Sequence, residues 1–171
     1  MRAYLHQRIF TKALFLISIF TFTSLSLAGS FYPDNPNPTL TLGSRCEDPD
    51  SIRHPEKIAY CKRDVSSGKK WRIIEEYNDL GYRITSRNRY DFKVDHLVPL
   101  CIGGSNKSNN LWPQHKNVYT LTDNIEHLTC ELVMEGRITQ NTAIELVLRA
   151  KLNLNEAPGI ERHLRDLTGR D

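Results

Sequence analysis

The chain has 171 residues, of which 39% are hydrophobic and 25% are charged, a composition typical of a one-domain globular protein. It excludes collagen, coiled coils, gross disorder and membrane proteins with several spans. The net charge of +3 comes from residues 1–28, which contain Arg2, Arg8 and Lys12 but no acidic residue. Residues 29–171 are electrically balanced, so any affinity for nucleic acid must come from local basic patches.

Residues 1–28 have the layout of an export signal. Their basic residues precede an uncharged, mostly apolar run over 13–28, which ends in the small-x-small sequence Ser26-Leu27-Ala28. The run is close to the lower length limit for a bilayer span, so we predict cleavage after Ala28 rather than a retained anchor. We therefore expect a secreted or periplasmic protein with no stable membrane association after cleavage.

All four cysteines follow the predicted signal, and an even number in an exported chain predicts two disulfides. Of the three possible pairings we favour Cys46–Cys61, which closes a short loop, and Cys101–Cys130, which ties a strand end to a helix. The alternative is a zinc site with four cysteine ligands. It is disfavoured because the chain has no closely spaced cysteine pair.

The first part of the exported chain predicts little regular structure. Residues 29–44 are rich in Pro, Asn, Ser and Thr, which indicates a linker or a poorly ordered segment, and residues 45–63 predict loops. Ser66 or Ser67 can cap a helix that begins near Gly68 and ends at Gly81, with Trp71 expected in its buried face.

Residues 45–171 form one predicted domain with helices around a strand–loop–strand–helix unit. A strand is predicted over 92–100, a glycine turn over 103–106 and the close of an ordered loop over 110–113. Helices are predicted at about 117–135 and 139–152, with a short terminal helix over 160–168 after Pro158. This order predicts an α+β fold rather than a parallel α/β sheet.

One segment combines polar positions with apolar residues and a glycine turn. It reads Val94-Asp95-His96-Leu97-Val98-Pro99-Leu100, then Gly103-Gly104-Ser105, then Asn109-Asn110-Leu111. An Asp-His pair alone would indicate no more than a surface aspartate beside a half-buried histidine. The whole segment, over about 90–136, resembles the HNH endonucleases with a ββα-metal core. It is similar in particular to a secreted bacterial branch with the pattern D-H-hydrophobic-x-P-L-x-x-G-G-S-N followed by N-L-W-P-Q and a helix.

The resemblance implies a role for each matching position. His96 would be the general base, Asp95 a metal ligand, and Asn110 the residue that holds the loop and orients the base. Asn117 would be the last metal ligand, with His115 as its rival, although the family's common C-x-x-H or H-x-x-x-H ending is missing here. The implied activity is metal-dependent hydrolysis of DNA, with RNA as a second candidate substrate, and with 3′-hydroxyl and 5′-phosphate products. Because so short a chain shows no additional reader domain, we expect low sequence specificity.

Phosphodiester chemistry accounts for these residue types. A neutral imidazole can take a proton from water, and a hard cation on oxygen ligands can neutralise the developing charge. Mg²⁺ is the favoured metal, with Mn²⁺, Zn²⁺ and Ni²⁺ as alternatives; His115 as a ligand would favour Zn²⁺ or Ni²⁺. We expect His96 to be open to solvent and to face the cation, with activity falling below about pH 6.

Two basic stretches precede the predicted catalytic strand and could contact phosphates. Their candidate nucleic-acid-binding residues are Lys69, Lys70, Arg83, Arg87, Arg89 and Lys93. Arg63 lies in the first stretch, and aromatic residues in the second could stack on bases. A solvated basic loop over a packed strand is the alternative. A second class of function is a non-catalytic, disulfide-braced nucleic-acid-binding module on the same scaffold.

Overall fold

A computed structural model describes residues 31–53, 55 and 57–169 of the chain. The predicted export signal, residues 1–28, lies outside the described residues. Within them the fold is α+β, with four helices, two small antiparallel sheets and two disulfides. The elements in chain order are β1 Ser51–Arg53, β2 Ile58–Tyr60, α1 Ser67–Asn78, β3 Phe92–His96, β4 Leu111–His115, α2 Lys116–Met134, α3 Gln140–Leu152 and α4 Ala157–Thr168.

The helix α1 begins where its cap sequence predicts. The side chain of Ser66 accepts a hydrogen bond from the amide of Lys69, which satisfies one of the free donors of the first turn. Ile73, Ile74 and Tyr77 are buried against the β3–β4 hairpin. The expectation that Trp71 belongs to the buried face is wrong, because its side chain is 43% exposed; it lies two positions before Ile73, on a different side of the helix.

The strands β3 and β4 form an antiparallel hairpin joined by residues 97–110, with His96 opposite Leu111 and Phe92 opposite His115. The predicted strand over 92–100 thus ends at His96, and the segment predicted to close a loop starts β4. Pro113 is tolerated in β4 because the sheet has only two strands, so the missing N–H interrupts no further pairing.

The connecting loop is compact because two glycines let its backbone turn sharply. Gly103 has φ +91°, in the left-handed region. A Cβ on Gly104 would lie 1.8 Å from the carbonyl oxygen of Val98. The glycine turn therefore brings the loop back onto the end of β3, where Asp95 and His96 are located.

Helices α2, α3 and α4 pack around a second apolar core that includes Ile125, Leu132, Val147 and Leu164. The side chain of Thr139 caps α3 by accepting from the amide of Thr142. Pro158 lies in the first turn of α4, a position where its missing N–H costs no helical hydrogen bond. The helix predicted over 160–168 therefore starts earlier, at Ala157.

The segment before β1 is folded onto the domain, which differs from the linker predicted over 29–44. Thr41 is buried, and its hydroxyl donates to the carbonyl of Leu111 at 3.0 Å. The amide of Asn37 donates to the Tyr77 hydroxyl at 2.9 Å. Hydrogen bonds of its own side chains and backbone thus let a polar, proline-rich segment pack without regular structure.

Both favoured disulfides are present and all four cysteines are paired. Cys46–Cys61 joins the N-terminal segment to the end of β2, and Cys101–Cys130 joins the hairpin loop to α2. Two disulfides are consistent with an oxidising extracellular or periplasmic environment. Among the described residues, no helix combines the length and the apolar character that crossing a bilayer requires.

Candidate active site

Asp95 and His96 end the strand β3 and point to opposite faces of the hairpin, as neighbours in a strand do. A single guanidinium nevertheless borders both side chains. Nη1 of Arg63 lies 3.4 Å from Nδ1 of His96 and 3.8 Å from Oδ1 of Asp95. Nη2 of Arg63 donates to the carbonyl of Val94 at 2.9 Å. The two polar residues therefore belong to one site, with Arg63 between them.

The imidazole of His96 is held in one tautomer by Asn106. Its Nε2 lies 3.1 Å from Oδ1 of Asn106, and Nδ2 of the same amide donates to the carbonyl of Lys62 at 2.6 Å. Because Nδ2 is used in that bond, the amide presents its oxygen to the ring, and Nε2 must carry the proton. The proton-accepting nitrogen of His96 is therefore Nδ1, on the side of Arg63.

Burial is the main cause that lowers the pKa of His96 to about 4; the Asn106 hydrogen bond opposes this shift and the charge of Arg63 adds to it. The ring is thus neutral near pH 7. The expectation that His96 is open to solvent is wrong, because the residue is only 2% exposed. Arg63 contacts its Nδ1 and Asn106 its Nε2, so a water that hydrogen-bonds to Nδ1 has to take the place of Arg63. In this conformation the ring protonates near pH 4, below the predicted limit of about pH 6.

Asn110 organises the loop through all the polar atoms of its amide. Oδ1 accepts from the amides of Val98 and Ser44, at 2.9 and 3.3 Å, and Nδ2 donates to the carbonyls of Val98 and Ser105, at 3.0 and 2.8 Å. The residue is fully buried. The backbone carbonyl of Asn110 accepts from the amide of Leu97, so Asn110 fixes the loop at the residue that follows His96. The bond to the imidazole itself comes from Asn106, in the glycine turn.

Asp95 lies in a network of charges between the hairpin and the helices. Its Oδ2 is 3.1 Å from Nζ of Lys93 and 4.0 Å from Nζ of Lys151. Burial raises the pKa of Asp95, but the ammonium groups of Lys151 and Lys93 outweigh burial, so that its pKa is lowered. Lys93 also pairs with Asp123. The carboxylate therefore remains charged although it is buried.

The charge network continues onto α2 and α3. Asp95, Asp123 and Glu126 each offer a carboxylate oxygen, and these three atoms lie within 4.8 Å of one another. Lys151, fully buried, reaches Glu126 at 2.6 Å and the backbone carbonyl of His96 at 2.5 Å. Burial raises the pKa of Glu126, although Lys151 opposes this. The i, i+3 spacing of Asp123 and Glu126 on one helix face was the available sequence signal.

His115 and Asn117 lie at the other end of the hairpin from His96. His115 is opposite Phe92, and three residues along a strand, the separation of Phe92 from Asp95, span about 10 Å. The His115 ring stacks on Tyr32 at 3.7 Å, and its Nδ1 accepts from the amide of Asn117 at 3.2 Å. Nδ2 of Asn117 donates to the Tyr32 hydroxyl. Asp123 and Glu126 therefore lie beside Asp95. His115 and Asn117, the predicted last ligands, instead contact Tyr32.

The candidate nucleic-acid-binding residues are spread over several surfaces. Nζ of Lys69 donates to the carbonyl of Asn106 at 3.0 Å, beside His96, while Lys70 is half-buried on α1. Lys93 is held in its ion pairs, and Nη1 of Arg89 donates to the carbonyl of Phe92 at 2.6 Å. Arg83 and Arg87 are exposed on the segment before β3.

A cavity of about 530 Å³ opens next to the partners of His96. Its walls carry both signs of charge, with Lys69 and Lys107 facing Glu47, Asp48 and Asp64, and Asn106 forms part of it. Asn106 therefore borders both this cavity and the imidazole of His96. Comparisons of the chain with protein-family models, with curated proteins and with solved structures find no match.

Proposed function

We propose that this chain is an endonuclease that hydrolyses phosphodiester bonds of DNA at an HNH-type ββα unit made of β3, β4 and α2. The observation that carries the proposal is the neutral imidazole of His96, whose acceptor Nδ1 lies 3.4 Å from a guanidinium that also borders the buried carboxylate of Asp95 at the hairpin end. The strand–loop–strand–helix order and the bonds of Asn110 to both sides of the loop support it. RNA is a second candidate substrate.

In the proposed reaction, Nδ1 of His96 takes a proton from water as the water oxygen attacks phosphorus. The phosphorus–oxygen bond to the leaving 3′ oxygen breaks, and that oxygen gains a proton from solvent. The products are a 3′-hydroxyl and a 5′-phosphate. A neutral His96 suits this step because only the unprotonated ring can accept the proton, and Arg63 offsets negative charge beside it.

The residues around Asp95 fit a hard divalent cation by donor chemistry. Asp95, Asp123 and Glu126 offer the oxygen ligands that Mg²⁺ prefers. The buried Oδ2 of Asp95 and Oε1 of Glu126 have ion pairs but no oriented hydrogen bond. A cation there would compete with Lys93, whose side chain is 35% exposed, for Asp95 and Asp123, and with the buried Lys151 for Glu126. When bound, it would neutralise charge on the phosphate.

A plasmid-nicking assay tests the proposed function and its metal requirement. We expect the purified, disulfide-bonded protein to nick supercoiled DNA in Mg²⁺ near neutral pH, and EDTA to abolish the cleavage. The substitution His96→Ala should lower the cleavage rate at least about a hundredfold, the contribution of a general base. His127→Ala is the matched control, because the His127 side chain is 68% exposed on α2; it should cleave like the wild type.

A non-catalytic nucleic-acid-binding module is the second candidate, and the burial of His96 favours it. That module would bind DNA, yet cleave none with Mg²⁺, Mn²⁺, Zn²⁺ or Ni²⁺. Equal cleavage by the His96→Ala and His127→Ala variants would also contradict the proposed role of His96. Circular dichroism of both variants shows whether a loss of cleavage reflects a loss of fold.

A further inference from the structure

We infer that Arg63 binds the phosphate at which the nucleic acid is cut, and that this contact uncovers His96. The inference rests on the proposed nuclease function and names the residue that contacts the scissile group. Sequence analysis places Arg63 among several basic residues of one stretch. The structure sets it apart, because its guanidinium borders both polar residues at the end of β3.

The contacts of Arg63 leave its guanidinium available to a ligand. Its short hydrogen bond goes to the carbonyl of Val94, at 2.9 Å. Its contacts with His96 and Asp95 are longer, at 3.4 and 3.8 Å, and its side chain is 48% exposed. A planar guanidinium with five donors matches two phosphate oxygens at once. A phosphate can therefore replace the two long contacts with shorter, charge-assisted hydrogen bonds.

The chain around Arg63 is held in place before any ligand binds. Cys61, two residues earlier, is in a disulfide with Cys46. The amide of Lys62 donates to Oδ2 of Asp50 at 2.7 Å, and its carbonyl accepts from Asn106 at 2.6 Å. An arginine on a fixed backbone loses less conformational entropy when it binds a phosphate than one on a free segment does. This preorganisation favours Arg63 over the exposed arginines before β3.

The position of Arg63 also explains how a covered histidine can act as a base. The acceptor Nδ1 of His96 faces Arg63, while Nε2 is held by Asn106. Asn106 makes close hydrogen bonds to His96 and to Lys62 and contacts Lys69 through its carbonyl. Of these two residues that contact the imidazole, Arg63 is therefore held more weakly than Asn106. Its movement toward a phosphate leaves room for water at Nδ1, beside the bound phosphorus.

Steady-state cleavage of an oligonucleotide duplex in Mg²⁺ by variants of Arg63 tests the inference. We expect Arg63→Ala to lower kcat/KM about a hundredfold, the usual effect of removing a donor to a developing negative charge. Arg63→Lys should recover only part of the activity, because an ammonium lacks the two-point geometry. Millimolar guanidinium added to Arg63→Ala should restore part of the rate, which a structural role would not predict.

Arg162→Ala is the control, since Arg162 is an exposed arginine on α4; it should stay within threefold of the wild type. If Arg63→Ala cleaves like Arg162→Ala while His96→Ala is inactive, the inference fails and the nuclease function stands. Absence of cleavage by the wild type overturns both. Thermal unfolding checks each variant, and Arg63→Gln replaces Arg63→Ala if the alanine variant does not fold.

Discussion

The substitution Lys151→Met is expected to lower the free energy of unfolding by about 3 to 5 kcal/mol, the range for breaking a buried ion pair by removing one partner. Lys151 is fully buried in the last turn of α3, and its ammonium contacts Glu126, Asp95 and the carbonyl of His96. Methionine fills a similar volume but leaves Glu126 without its closest cation and the carbonyl without its donor. Urea unfolding at pH 7, with the disulfides intact, measures the loss.

Arg149→Met is the matched control on the same helix. Arg149 pairs with Glu156 at 2.6 Å, but its side chain is 52% exposed, and exposed pairs contribute about 0 to 1 kcal/mol. Adding Glu126→Gln to Lys151→Met should recover part of the stability, because it removes one uncompensated carboxylate. A Lys151→Met protein as stable as Arg149→Met would show that the network contributes nothing to folding.

Local signals in the sequence predict much of the fold. Ser66, one of the two caps predicted for α1, accepts the capping hydrogen bond, and α3 begins within one residue of its predicted start, because helix starts depend on residues within one turn. Gly103 is left-handed in the predicted turn. The disulfides Cys46–Cys61 and Cys101–Cys130 are the favoured one of three possible pairings, chosen because the first closes a short local loop and the second ties a strand end to a helix. These features need no knowledge of distant parts of the chain.

The features that the sequence did not predict are tertiary. The polar segment before β1 is ordered by contacts with Tyr77 and Leu111, 36 and 70 residues away from Thr41. Residues 110–113 were predicted to close a loop, yet Pro113 lies in a strand that pairs with β3 in a two-stranded sheet. In each case a distant partner decides the local structure, and periodicity carries no information about that partner.

The candidate site likewise contains residues that a local motif predicts and residues that only the fold brings together. Asp95, His96 and Asn110 were proposed from one short motif, and the structure brings them to one hairpin end. Lys151 is 55 residues from His96, and Arg63 is 33 residues before it. Nothing local to either residue indicates that it contacts β3. A basic residue looks like a solvated surface charge in the sequence, and its role depends on what it contacts in the fold.

His96 should make the folded state less stable as the pH falls from about 6.5 to about 4. Burial, with a contribution from Arg63, lowers its pKa to about 4 from the usual 6.5 of a histidine. The unfolded chain therefore takes up a proton in this interval while the folded chain does not, and folding stability falls with pH. The shift corresponds to about 3 kcal/mol, at 1.36 kcal/mol for each pKa unit.

Unfolding of the wild type and of His96→Gln in EDTA, at several pH values, measures this contribution as a difference in slope. Glutamine has no proton to gain, so the variant should lose less stability over the interval, whatever its stability at pH 7. Partial burial also lowers the pKa of His115, but that effect is present in both proteins and cancels. His127→Gln, at an exposed position, should keep the wild-type slope. Parallel curves for the wild type and His96→Gln would mean that His96 is solvated in the folded protein, because burial, with the charge of Arg63, is what lowers the pKa of the ring to about 4.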